Sequence, residues 1–151
     1  MTAPILVVED VSDVRSTIVG ILQDEGYSVF SASNRAEALQ LVDSVLFSAA
    51  ILDVRLDETD ENNQDGLHLM HEINLLSPQT AIVILTGYGT KDMVTDALRP
   101  DKDGFSPAYD FLDKTENIYY ELTSVVMRAI NHSSAVMKYQ PNDEIERILF
   151  D

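Results

Sequence analysis

Four short apolar runs each deliver a chemically capable side chain. Ile5-Leu6-Val7-Val8 leads into Glu9 and Asp10, and Ala49-Ala50-Ile51-Leu52 into Asp53. Ala81 to Leu85 ends at Thr86, and Ala108 to Leu112 is followed by Lys114. Three carboxylates brought to one point repel one another, and a divalent cation relieves that repulsion. Hard oxygen donors with room for water and phosphate oxygens suit Mg²⁺. A carboxylate beside such an ion can attack a phosphoryl group and form an acyl phosphate. An ammonium such as Lys114 would stabilise the charge spread over the transferring oxygens. A hydroxyl such as Thr86 could hydrogen-bond the new group. One acid after one strand would mean little; a complementary set at four strand ends carries the chemistry.

The elements that must position these groups alternate along the chain. Buried-strand runs at 5–8, 49–52 and 81–85, a more alternating strand at 27–32 and a short one at 108–112 are each followed by apolar residues at helical spacing. The first helix carries Val14, Ile18, Ile21 and Leu22 and can end at Gly26. The second begins near Asn34 and Glu37, with Ala38, Leu41, Val42, Val45 and Leu46 as its apolar face. Leu69, Met70, Ile73 and Leu76 mark the third, stopped before Pro78, and Met93, Val94, Ala97 and Leu98 the fourth, cut off by Pro100. Ile118, Leu122, Val125, Val126 and Ala129 mark the fifth.

Five such βα units predict an α/β fold: a (βα)5 three-layer sandwich with a flavodoxin-like parallel sheet of order 2-1-3-4-5. In such sheets ligands sit beyond the carboxyl ends of the strands, where all the residues singled out above lie. One domain is expected over 1–130. Residues 131–151 would be its helical extension or tail, with a break at Pro141 and a short amphipathic piece carrying Ile145, Ile148 and Leu149.

Composition narrows the function. A chain of 151 residues with 45% hydrophobic residues can bury a continuous core, and with no cysteine it has neither disulfides nor zinc thiolates. The net charge of −16, from 26 acidic against 10 basic residues, repels nucleic-acid backbones and anionic membranes. No apolar run is long enough to span a bilayer and no signal peptide is visible. The expectation is a soluble cytoplasmic protein that binds neither nucleic acid directly nor membrane. His68, His71 and His132 are too few and too far from the strand ends to suggest a metal site.

Glu9-Asp10, Asp53, Leu85-Thr86-Gly87-Tyr88-Gly89 and Asp110-Phe111-Leu112-Asp113-Lys114 together resemble the receiver domains of bacterial two-component response regulators, over roughly residues 3 to 130. The resemblance implies a signalling phosphoacceptor in a phosphorelay, assisting only its own phosphorylation and dephosphorylation. Asp53 would be the phosphorylated residue. Mg²⁺ would be held by Asp10, Asp53 and the carbonyl of Arg55, with Glu9 assisting. Thr86 and Phe111 would be the switch pair, and Lys114 would contact the phosphoryl group. The donor would be a histidine kinase or phosphotransfer protein, and the output an unknown downstream protein.

Three features depart from the family pattern. The stretch from Asp53 to Gly66 is longer than usual and contains Asp57-Glu58-Thr59-Asp60-Glu61-Asn62-Asn63-Gln64-Asp65. Its simplest reading is a solvated loop; a sharper one is a flap beside Asp53, with Tyr88 as a second shield. Residues 100–107 replace a tight turn. No proline follows Lys114, so the Lys114–Thr115 peptide is expected to be trans, since cis without proline costs roughly 2.5–4 kcal/mol.

Other classes remain as alternatives. A degenerate receiver would bind partners without being phosphorylated; labelling by a small phosphodonor separates it. A Mg²⁺-dependent aspartyl-phosphate phosphatase typically carries a second acid two residues after its nucleophile, where this chain has Arg55. A flavodoxin-like electron carrier would need a phosphate-cradling loop after the first strand, which is absent from the sequence.

Overall fold

The apolar runs pair as five parallel strands: β1 (Pro4–Val8), β2 (Ser28–Ala32), β3 (Ala49–Asp53), β4 (Ala81–Thr86) and β5 (Asp110–Asp113). Their order is β2-β1-β3-β4-β5, as the βα alternation predicts. The computed structural model describes residues 2–138 except Tyr88, Asp103, Phe105 and Asn117. The crossover helices are α1 (Ser12–Asp24), α2 (Arg35–Ser44), α3 (Asp65–Leu76) and α4 (Lys91–Ala97), and α5 (Ile118–Lys138) follows the last strand.

Alternation along the strands divides the core in two. Leu6, Val8, Ala50, Leu52, Ile82 and Ile84 face the side covered by α2, α3 and α4, where Ala38, Leu69, Met70, Ile73 and Val94 meet them. Ile5, Val7, Ile51, Val83 and Leu85 face Ile18 and Leu22 of α1 and Leu122, Val125 and Val126 of α5. Each fully buried aliphatic side chain contributes about 1.5–3 kcal/mol, so both faces hold the sheet, and the sheet holds its strand ends in register. Asp53 is paired with Leu85, and Thr86 with Asp113. That register sets the rim where the chemistry collects.

Local signals explain the helix limits. The Asn34 side chain accepts the Glu37 N–H at 2.9 Å, and Ser33 Oγ donates to Glu37 Oε1 at 2.8 Å, so the expected start of α2 is a true cap. Gly26 takes φ +95 after α1, a left-handed conformation that favours glycine.

Two expectations shift. Ladder pairing of β5 begins at Asp110 rather than Ala108, because Ala108 and Tyr109 precede the Val83–Asp110 pair; the strand then reaches Asp113. Leu46, 53% exposed, and Leu76, 65% exposed, were assigned to apolar faces but lie outside the core. Leu46 falls after α2 has ended at Ser44, and Leu76 is the last residue of α3, where the helix runs past the sheet. The α5 helix crosses residue 130 and continues to Lys138, and Ser133 Oγ donates to the Gln79 carbonyl at 2.7 Å. The expected break at Pro141 and the piece carrying Ile145, Ile148 and Leu149 lie outside the described residues, as does Tyr88.

Candidate functional site

The carboxyl ends of β1, β3 and β5 converge. Glu9 continues the β1–β2 ladder through its N–H to the Ala32 carbonyl at 3.1 Å, and its side chain is 0% exposed. The turn after it is clamped by Arg15, whose Nη1 donates to the carbonyls of Glu9 (2.8 Å) and Asp10 (3.4 Å). Asp53 is the last residue of β3 and only 4% exposed. The Lys114 N–H donates to the Thr86 carbonyl at 2.6 Å, extending the β4–β5 pairing by one step. Its Nζ then reaches back across the rim, 3.1 Å from Glu9 Oε2 and 3.3 Å from Asp53 Oδ2. No peptide bond among the described residues is cis, so Lys114 makes this reach with a trans peptide to Thr115, as its sequence context predicts.

Burial and like charge set the electrostatics. The Asp53 carboxyl is pushed up to about 8, first by burial and then by the Glu9 charge, with Lys114 opposing both. Burial works against the Lys114 ammonium, yet the charges of Asp53 and Glu9 outweigh it and hold the group above its ordinary value. One carboxylate oxygen each from Glu9, Asp10, Asp53 and Glu58 lies within 4.8 Å of the others. Among the described residues, Asp10 Oδ1 is the buried side-chain polar atom with no hydrogen-bond partner. A buried, unpaired carboxylate oxygen is costly without a counter-charge, and the oxygens clustered with it, from Glu9, Asp53 and Glu58, are all hard donors. The residues therefore fit a divalent cation of the Mg²⁺ class.

Beside the acidic group is a cavity of about 340 Å³ lined by Asp53, Arg55, Glu58, Gly87, Thr90, Lys114 and Thr115. Asp53, Arg55 and Lys114 were singled out from the sequence. Thr90 was not; its hydroxyl accepts the Gly87 N–H (2.8 Å) and donates to the Gly87 carbonyl (3.0 Å), closing the turn after β4. Glu58 was also missed. It comes from the insertion, which folds back on itself: Asn63 Oδ1 accepts the N–H groups of Leu56 and Asp65, both at 3.0 Å. Asp57 Oδ1 accepts from Thr59 Oγ1 (2.6 Å) and N (3.0 Å). The segment re-enters the fold at Gly66, whose N–H donates to the Val54 carbonyl at 2.9 Å.

Thr86 and Phe111 are brought together, but apart from Asp53. By strand alternation Thr86 leaves the sheet on the side of Ile82 and Ile84, whereas Asp53 follows Ile51 on the other. The Thr86 hydroxyl donates to the Leu112 carbonyl at 3.4 Å. Both residues line a second cavity of about 440 Å³ with Val94, Leu98 and Pro100, and Phe111 stands 46% exposed at its edge.

With this geometry in place, comparison with known proteins is decisive. Residues 5–119 match the response regulator receiver domain. The chain belongs to that family. The receiver is 32% identical over 113 residues to an NtrX-like response regulator of Rickettsia bellii, a match covering 75% of the chain and 22% of that protein. It is 34% identical over 95 residues to the alginate biosynthesis transcriptional regulatory protein AlgB of Pseudomonas syringae, covering 63% of the chain and 20% of that relative. The chain thus spans about a fifth of the length of these curated relatives. The crystal structure of the receiver domain of NtrX from Brucella abortus superposes with a TM-score of 0.70 at 31% identity, covering 84% of this chain and 98% of that one. The receiver is a domain of two-component signalling with the flavodoxin-like fold predicted from its sequence. Among the described residues no helix is long and apolar enough to cross a membrane.

Proposed function

We propose that this receiver accepts a phosphoryl group on Asp53 in a Mg²⁺-dependent reaction, in the cytoplasm, from the phosphohistidine of a histidine kinase or phosphotransfer protein. The observation that carries the reading is the Lys114 bridge between Glu9 and Asp53, set against a buried and unpaired Asp10 oxygen. Glu9, Asp10 and Asp53, with the Arg55 carbonyl, would hold the cation, which supplies charge neutralisation for the phosphoryl oxygens. An Asp53 oxygen forms the new bond to phosphorus as the phosphorus–nitrogen bond breaks, and the bonding pair leaves with the imidazole nitrogen. Lys114 binds the charge that accumulates on the phosphoryl oxygens. Burial of Asp53 among Glu9 and Lys114 limits approach to the open side, where the 340 Å³ cavity lies.

Phosphorylation would then be read by Thr86, whose hydroxyl would exchange the Leu112 carbonyl for a phosphoryl oxygen, and by Phe111, which has a cavity beside it to enter. The changed surface would be that of α4, β5 and α5, offered to a downstream protein. The test is labelling by phosphoramidate in Mg²⁺, followed by intact mass. Wild type should gain one phosphoryl group and Asp53→Asn none; undiminished labelling of the variant would overturn the assignment.

A further inference from the structure

The acidic insertion contributes one carboxylate to the cluster and keeps the others out of it. Glu58 lies with Glu9, Asp10 and Asp53, all four oxygens within 4.8 Å. Its neighbours in the loop have other occupations: Asp57 Oδ1 binds Thr59, and Asp60 Oδ1 accepts the Asn62 N–H at 3.0 Å. Glu58 accepts no hydrogen bond among the described residues, and it lines the same cavity as Asp53 and Lys114.

Its approach is built into the loop. Leu56, 7% exposed, is packed into the core and tied to Asn63, so the chain leaves the core only two residues before Glu58. The four carboxylates share one rim, the buried and unpaired Asp10 oxygen among them, and a divalent cation would gather them.

We infer that Glu58 is a fourth carboxylate ligand of the divalent-cation site in the unphosphorylated protein, an inference that rests on the metal-binding reading above. Mg²⁺ usually takes one or two carboxylates with several waters, whereas larger divalent ions accept more oxygen ligands in looser geometry. A fourth anionic oxygen therefore raises affinity for divalent ions generally and widens the site's tolerance toward larger ones such as Mn²⁺. The insertion becomes a determinant of which ion the receiver carries.

The test is calorimetric titration of the metal-free protein with Mg²⁺ and separately with Mn²⁺, with free Mn²⁺ followed by electron paramagnetic resonance. Glu58→Gln should weaken binding about tenfold, more for Mn²⁺ than for Mg²⁺. Glu61→Gln removes the same charge from the same loop but lies outside the cluster, and should stay within about twofold of wild type, the effect of one screened charge. Circular dichroism confirms that both variants fold. Equal losses in the two variants, or unchanged binding by Glu58→Gln, would overturn the ligand role and leave the metal site standing. Absence of any divalent-ion binding by wild type would overturn the metal-site reading itself.

Discussion

A side chain added at Gly66 would stand 1.8 Å from the carbonyl oxygen of Asp53. The first turn of α3 is thus pressed onto the backbone of the proposed phosphoacceptor, and the atoms it meets are main chain, which cannot rotate away. Gly66→Ala should destabilise the protein by about 3 kcal/mol or more. Chemical denaturation checks this, and an unchanged midpoint would show that α3 can shift without cost.

Stability should depend on pH through Asp53 in a direction opposite to an ordinary ion-paired acid. Folding raises this carboxyl from 3.8 to about 8. Between those values the folded state holds more protons than the unfolded one, so its stability falls as pH rises through the window. Lys114, raised from 10.5, contributes stability that is lost only at higher pH, outside it. Melting temperatures in chelator should therefore decline from about pH 5 to about pH 8, and Asp53→Asn should flatten the decline. Because cation binding requires the ionised carboxylate, Mg²⁺ affinity should rise over the same interval.

Thr86→Ala should leave labelling of Asp53 intact while uncoupling it from the surface. The Thr86 hydroxyl is bonded to the β5 backbone and not to Asp53, so phosphate uptake does not need it. The response at Phe111 does, since a ligand shifts a two-state equilibrium only through contacts that differ between the states. Amide NMR shifts in α4, β5 and α5 on phosphorylation should shrink to the immediate site. Full-sized shifts in the variant would refute the coupling.

With Mg²⁺ saturating, so that loss of Glu58 does not limit cation binding, shortening residues 58–64 should speed labelling by small anionic donors at low salt, and the gain should disappear as salt is added. The acyl-phosphate lifetime should shorten modestly, since part of the wall facing Asp53 is lost. Labelling and decay rates across a salt series measure both effects; if neither changes, the loop has no part in access to the site.

The strands were legible because each buried run is continuous and ends in a polar residue, and parallel sheets put all such ends on one rim. That is why the sequence alone brings Glu9, Asp53 and Lys114 to one rim. Glu58 was not legible: an acid among Asp57, Asp60 and Glu61 carries no periodic signal, and which one comes to the cluster depends on how the Leu56 and Asn63 anchors fold the loop. The exposure of Leu46 and Leu76 was hidden for a related reason, since helical spacing continues on paper past the point where the sheet ends. The separation of Thr86 from Asp53 follows from strand parity, which the register of the β3–β4 pair fixes and composition does not.

The far end of α5 is held twice. Ser133 donates to the Gln79 carbonyl at 2.7 Å, and the His132 ring lies 5.0 Å from that of Tyr109. In mechanical terms the helix is a beam clamped at the end remote from Asp53. A displacement entering through β5 is therefore taken up as tilt in the turns near Ile118 and fades toward the clamp, instead of sliding the helix bodily. A partner reading such a displacement would find Tyr119 and Tyr120 exposed at the end of α5 that follows β5.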